Sequence, residues 1–89
     1  MANHPSADKR NRQRITRTER NKRIRSAVRS AVKKARTAIA GGKADAAKEP
    51  VAEAAKALAR AASKGVLHVR TAARTTSRIE SALSKLARG

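Results

Sequence analysis

The chain has 89 residues and carries 23 Lys and Arg against 6 Asp and Glu, a net charge of +17. It contains no cysteine, which excludes disulfides and thiolate metal sites. Of its hydrophobic residues, 21 are alanine and only 13 are Ile, Leu or Val, so one small core is the most that it can bury. No apolar run is long enough for a signal peptide or a membrane span, and we expect a cytoplasmic protein.

The charge predicts a polyanionic partner, because so strong an excess of one sign repels itself in the free chain. Arginine supplies 14 of the 23 basic residues, and its planar guanidinium matches phosphate oxygens in pairs, so nucleic acid is favoured. Common readers of single strands stack bases on aromatic rings, and this chain has no Phe, Tyr or Trp. Its contacts are therefore expected to go to the backbone and shape of a folded nucleic acid.

The first seven residues include Pro5 and show no periodicity, which predicts a short flexible tail at residues 1–7. Ser6 can cap a helix that begins near Asp8, where a carboxylate is favourable in the first turn. No Gly or Pro then intervenes before Ala40. One helix over about residues 8–40 is predicted, with a length of roughly 50 Å.

This first helix has two unlike halves. From Ile24 onward, apolar residues recur at intervals of three and four and predict a packed face. The same stripe continued toward the N-terminus meets Asn21, Arg17 and Arg14, so the apolar face stops. Residues 9–23 hold eight basic side chains and a single acid. A helix that is polar all round is not stable alone, so we expect this half to order when phosphates surround it.

The middle of the chain predicts a turn and a second helix. Gly41–Gly42 marks the turn, and a pattern of apolar residues predicts a helix over about residues 44–63. Pro50 falls inside that pattern, so the helix starts either at Pro50, where a missing N–H costs nothing, or near Ala44 with a distortion before the proline. We favour the earlier start. Gly65 can close the last turn in a left-handed conformation.

Three of the six acids, Asp45, Glu49 and Glu53, recur at intervals of four on the second helix. They share one side of that helix, and we expect this side to point away from a polyanion. Together with nearby lysines they are typical of a solvated helix surface rather than of a catalytic pair.

The last helix is predicted over about residues 69–86, antiparallel to the second. Its apolar positions line one side, and arginines form a basic ridge on the other. Lys64 and His68 lie beside its start, where backbone N–H groups point outward, which predicts a phosphate-binding cradle. The fold predicted is an all-α, three-helix bundle with an extended, highly basic first helix, in a single domain over residues 1–89.

The residues predicted to bind nucleic acid are polar or basic and fall in the first helix and around the start of the last. They are Ser6, Lys9, Arg10, Arg12, Gln13, Arg14, Arg17, Arg20, Asn21, Arg23, Lys64, His68, Arg70, Thr71, Arg74, Ser77 and Arg78. The sequence has no Gly-rich phosphate loop, nucleophile motif or carboxylate pair. We therefore predict a non-enzymatic protein without catalytic residues, metal, cofactor or small-molecule substrate.

The turn and the last helix also carry a family resemblance. The stretch from Ala61 to His68, followed by Thr71–Arg74 and Ser77–Arg78, resembles the signature of the bacterial small-subunit ribosomal protein S20 family. The opening residues, the Arg20–Lys22 region and the length are similar too. The resemblance implies a component of the small ribosomal subunit that binds 16S ribosomal RNA directly and early in assembly, bridging its 5′ domain and the long helix near its 3′ end. It also supports contact of His68 with RNA, and we expect no homo-oligomer.

Two other classes share the strong positive charge. A histone-like nucleoid protein would bind DNA, but we would then expect a dimer interface or Lys/Pro-rich repeats. A cationic peptide at a membrane surface would need large apolar side chains along its stripe, whereas much of the stripe here is alanine. Comparing binding to ribosomal RNA, duplex DNA and anionic vesicles distinguishes the three classes.

Overall fold

A computed structural model of the protein describes residues 5–89, which form three α-helices. Helix α1 spans Pro5–Ala40, α2 spans Ala44–Ser63 and α3 spans Val69–Arg88. Helix α2 packs against both α1 and α3, while α1 and α3 meet each other over a smaller area. The all-α prediction, with three helices and an extended first one, is confirmed.

The molecule is elongated because α1 is much longer than the bundle that it joins. The principal extents are 67 × 20 × 15 Å and the radius of gyration is 17.9 Å, against about 12 Å for a compact domain of this length. Every residue from Ser6 to Arg20 is exposed. The N-terminal half of α1, residues 6–23, therefore projects from the bundle with almost no tertiary packing.

Helix α1 begins earlier than the sequence pattern predicted. Pro5 is its first residue, so Ser6 lies inside the first turn and is not the capping residue. A proline suits this position because its fixed φ is already helical and its missing N–H would have no partner there. The prediction of a flexible tail was wrong for residues 5–7, and its remaining positions, 1–4, lie outside the described residues.

The core is small and half of it is alanine. Ten hydrophobic residues are buried, and Leu58, with 2% of its surface exposed, is the largest fully buried side chain. The buried residues are Val28, Ala35, Ala47, Val51, Ala54, Leu58, Ala61, Val66, Ala72 and Ile79. The α1 stripe from Ile24 to Ile39 lies in this core or packs directly against it. Within residues 5–89 no charged or polar side chain is buried, so the fold depends on apolar packing and capped helix ends.

The structure of the turn between α1 and α2 shows which of the two predicted starts of α2 is correct. Gly42 adopts a left-handed φ of 83°, and its N–H donates to the Ile39 carbonyl over 3.0 Å. Helix α2 then begins at Ala44 and includes Pro50 as an internal residue. Pro50 has no N–H to offer the carbonyl of Ala46, four residues earlier.

The turn between α2 and α3 contains the glycine cap predicted from the sequence. Gly65 has a φ of 75°, and its N–H donates to the Ala62 carbonyl over 3.0 Å. The next N–H, of Val66, donates to the Ala61 carbonyl over 2.9 Å. This pair of bonds satisfies two of the free carbonyls at the end of α2. The Val66 side chain is buried in the core, so the cap also holds α3 against α2.

We predict that Gly65→Val destabilises the fold by at least about 1–2 kcal/mol, the cost of a left-handed conformation for a residue with a Cβ. A Cβ at position 65 would meet no atom within 4 Å, so the cost arises from the backbone and not from a clash. The melting temperature should fall by about 4–8 °C per kcal/mol in thermal unfolding followed by circular dichroism.

Lys64→Val is the matched control, because Lys64 has a negative φ of −86°, so valine there does not meet the cost of a left-handed conformation. It should melt close to the parent protein. Equal melting of the Gly65→Val variant and this control would show that the cap does not stabilise the bundle.

Candidate nucleic-acid interface

The N-terminal half of α1 carries its charge on every side. Lys9, Arg12, Gln13, Arg17 and Arg20 line one face of the helix. Arg17 lies at the edge of this face, and with Arg10, Arg14 and Asn21 it continues the line of the core stripe beyond Ile24. Asn21 alone among the predicted residues is half-buried. Because the stripe becomes basic where the bundle ends, this half offers positive charge around its full circumference.

The charges of this half are not compensated within the protein. Across residues 5–89, the one ion pair joins Lys48 Nζ and Asp45 Oδ1 of α2 over 3.6 Å. Both of these side chains are highly exposed, so the pair adds little to stability. Arg20 has only a neutral contact, since its Nη2 donates to Asn21 Oδ1 over 3.4 Å. The guanidinium groups of α1 are therefore available to phosphate oxygens.

His68 has a structural role that the sequence did not reveal. It is the capping residue of α3, and its Nδ1 accepts a hydrogen bond from the Arg70 N–H over 3.0 Å. Accepting at Nδ1 requires the neutral tautomer with its proton on Nε2, which remains free to donate outward. Its place just before a periodic apolar run was a signal for capping, but histidine is not among the preferred capping residues.

Not all of the backbone N–H groups in the predicted phosphate cradle at the start of α3 are free to bind a phosphate. Lys64, His68, Arg70 and Thr71 are all exposed there. The Arg70 N–H, however, is already bonded to His68. A phosphate placed here would therefore meet side-chain charge and the Nε2–H of His68 more than free backbone donors.

The basic ridge predicted along α3 is divided by the packing. Arg70 and Arg74 are exposed and lie on the outer side of the helix. Arg78 instead lines a groove against α1, where it lies with Arg36. Ser77 lines a different groove, between α2 and α3. These residues therefore serve three separate surfaces and not one.

The groove between α1 and α3, here called the α1–α3 groove, contains basic residues that were not among the predicted contacts. Its floor is apolar and includes Val32 and Leu58. The polar residues along its two walls are Arg29, Lys33, Arg36, Thr37, Thr71, Thr75 and Arg78. The spacing of Arg29, Lys33 and Arg36 places them on one flank of α1, but only the fold shows that α3 lies across from them.

The acids of α2 lie on the opposite side of the core stripe. Asp45, Glu49 and Glu53 line a second groove, between α1 and α2, together with Lys34. On α1 the residues of this groove lie on the other flank from Arg29. The acidic side of α2 is therefore separated from the α1–α3 groove by the body of the bundle.

Most of the predicted contact residues form two groups. One group follows the N-terminal half of α1, and the other surrounds the turn into α3 and consists of Lys64, His68, Arg70, Thr71 and Arg74, whereas Ser77 and Arg78 line separate grooves farther along α3. Helix α2 returns antiparallel to α1, so this turn comes back to the level of Val28, with which Leu67 shares a groove. The second group therefore lies at the end of the bundle from which the N-terminal half of α1 projects.

Two kinds of site receive no support. Across the part of the chain that the structure describes, no cluster of three or more His, Cys, Asp or Glu is placed to hold a metal ion. The helices of residues 5–89 also include none that combines the length and apolar character needed to cross a bilayer.

The fold and its surfaces define a class, the small helical proteins that present an unbalanced positive charge to a polyanion. Comparison with known proteins specifies the family. A sequence model of ribosomal protein S20 matches residues 2–84. The chain belongs to this family, which confirms the resemblance seen in its sequence. It is a family of ribosomal structural proteins and not of enzymes.

Similar proteins named small ribosomal subunit protein bS20 cover nearly the whole chain. The one from Sorangium cellulosum is 58% identical over 85 residues, which are 96% of this chain and 89% of that protein. The one from Anaeromyxobacter sp. (strain Fw109-5) is 51% identical over 87 residues, with 98% and 97% covered. A third, from Geotalea daltonii, is 45% identical over 86 residues, with 97% and 99% covered.

We predict that His68 has two roles. Its Nδ1 caps α3, and its Nε2–H donates to RNA. His68→Ala removes the acceptor and should cost about 1 kcal/mol of stability, whereas His68→Asn supplies a preferred capping oxygen and should melt like the parent protein. Thermal unfolding of both variants measures this difference.

RNA affinity of the same two variants separates the two roles. The Asn variant keeps the cap and loses the Nε2–H donor, so a fall in its affinity at unchanged stability would identify a direct contact. Unchanged stability of the Ala variant would contradict the capping role.

Proposed function

We propose that this protein is a structural component of the small ribosomal subunit that binds 16S ribosomal RNA directly and stabilises its folded junctions during assembly. The observation that carries the proposal is the basic N-terminal half of α1, which projects from the bundle. It belongs to a chain that the ribosomal protein S20 family matches over residues 2–84. The relatives named above are small-subunit proteins by name. Such a component acts in the cytoplasm, as one domain, without an enzymatic step.

The mechanism follows from the distribution of charge and packing. The bundle of α2, α3 and the second half of α1 supplies a folded base. The N-terminal half of α1 supplies 8 of the 23 basic side chains and no large apolar side chain except Ile15, which is 51% exposed. Phosphates on several sides of this half neutralise its repulsion and release counterions from the RNA. Binding therefore fixes the helix and the RNA segments around it at the same time.

The shape of the molecule supports contact with more than one RNA segment. The two groups of predicted contacts lie along a molecule 67 Å long, and the second group surrounds the turn at the end of the bundle. We propose that both groups contact RNA. The absence of aromatic residues means that these contacts position the backbone and 2′-hydroxyls and do not stack bases.

We predict that binding to 16S ribosomal RNA is steeply dependent on salt. If roughly six to ten phosphates are neutralised, affinity should fall about 10³- to 10⁵-fold between 50 and 200 mM salt. Filter binding or fluorescence anisotropy over this range gives the slope of log affinity against log salt. A fall of less than tenfold would rule out the electrostatic mechanism.

Duplex DNA and anionic vesicles are the comparison ligands at about 0.2 M salt. The proposed function requires that ribosomal RNA retain the protein when both comparison ligands have released it. Equal retention by duplex DNA would favour a nucleoid protein instead.

A further inference from the structure

We infer that the α1–α3 groove binds one sugar–phosphate strand of RNA along its length. The inference rests on the proposed function and deepens it, because it adds a contact surface on the bundle to those predicted on the N-terminal half of α1. The residues that carry it are Arg29, Lys33 and Arg36 on one wall and Arg78 on the other.

The charge of the groove fits a phosphate chain. Arg29, Lys33 and Arg36 follow one another at intervals of four and three, so they rise about 10 Å along one wall at 1.5 Å per residue. Arg78 of α3 lies beside Arg36, at one end of this row. All four side chains are exposed, and among residues 5–89 no acid lines this groove. A negative strand would therefore lie along the positive α1 wall, with Arg78 across from one end of it.

The remaining surface of the groove suits the other parts of an RNA strand. Val28, Val32 and Leu67 form an apolar floor against which sugar rings can pack. Thr71 and Thr75 add hydroxyl groups on the α3 wall, and a hydroxyl can exchange a hydrogen bond with a 2′-hydroxyl in either direction. The groove thus offers a partner to each component of the backbone and none that stacks a base.

The position of the groove makes it continuous with the N-terminal half of α1. Lys22 and Arg25 precede Arg29 at intervals of three and four and therefore lie on the same flank of the helix. Both are exposed. One strand can follow this line of charge from the projecting half of α1 into the groove.

The groove on the other side of α1 has the opposite character. Asp45, Glu49 and Glu53 line the groove between α1 and α2 and would repel phosphates. The bundle therefore has a side that attracts RNA and a side that repels it, which fixes how the protein is oriented on its RNA.

The test compares two double variants that each remove one lysine and one arginine. Lys33→Gln/Arg36→Gln changes the groove, and Lys56→Gln/Arg60→Gln changes exposed residues of α2 outside it. The net charge of the two variants is the same, so any diffuse effect of charge is equal. Circular dichroism should show the parent's helix content and melting temperature in both, because all four side chains are exposed.

The readout is the salt dependence of binding to 16S ribosomal RNA. Loss of two phosphate contacts should reduce the slope of log affinity against log salt by about 1.4–1.8 in the groove variant. At 0.15 M salt this corresponds to a loss of roughly 15- to 30-fold in affinity, taking 1 M salt as the point where the ionic contribution vanishes. The α2 variant should keep a slope close to that of the parent.

Three results would overturn the inference, and they differ in what they say of the proposed function. Equal losses in both variants would show a diffuse charge effect. Unchanged slopes in both, with tight binding by the parent, would exclude the groove and leave the proposed function intact. Failure of the parent protein to bind 16S ribosomal RNA would remove the proposed function and the groove together.

Discussion

The end of the apolar stripe at Ile24 is the constraint on which the rest of the structure depends. On one side of this residue, α1 has apolar positions to bury and joins a bundle. On the other side, the same helical positions are occupied by Asn21, Arg17 and Arg14, so α1 leaves the bundle and projects into solvent. Because its charges repel one another and it has no packing partner, we propose that this half depends on an external polyanion.

The bundle is stabilised by only a small buried core. Half of its buried core is alanine, which lets helices approach closely but contributes little apolar area per residue. Two glycines with left-handed φ, Gly42 and Gly65, terminate α1 and α2, and His68 caps α3. With so thin a core, these helix ends carry a larger share of the stability than in a protein with a large core. The N-terminal half of α1 lengthens the molecule but contributes no buried residue.

Much of the fold was predictable from the sequence, because apolar periodicity and the two glycine turns have local causes. The start of α1 was not predicted, since Ser6 gave a plausible cap while Pro5 was the stronger signal. The candidate contacts on the N-terminal half of α1 were predictable, because they all lie on one helix. The α1–α3 groove was not, because it exists only where two distant segments face each other across Leu58. Arg36 illustrates this, since its partner Arg78 is 42 residues away in the chain.

Hydrogen exchange of the free protein and of its complex with 16S ribosomal RNA tests the central claim most directly. In the free protein, amides 28–39 should be partly protected by the bundle. Amides 9–22 should be unprotected, because this segment has almost no tertiary packing. On RNA both should be strongly protected, because ordering of the N-terminal half is coupled to binding. Strong protection of amides 9–22 without RNA would contradict the claim and show that this half is a preformed rod.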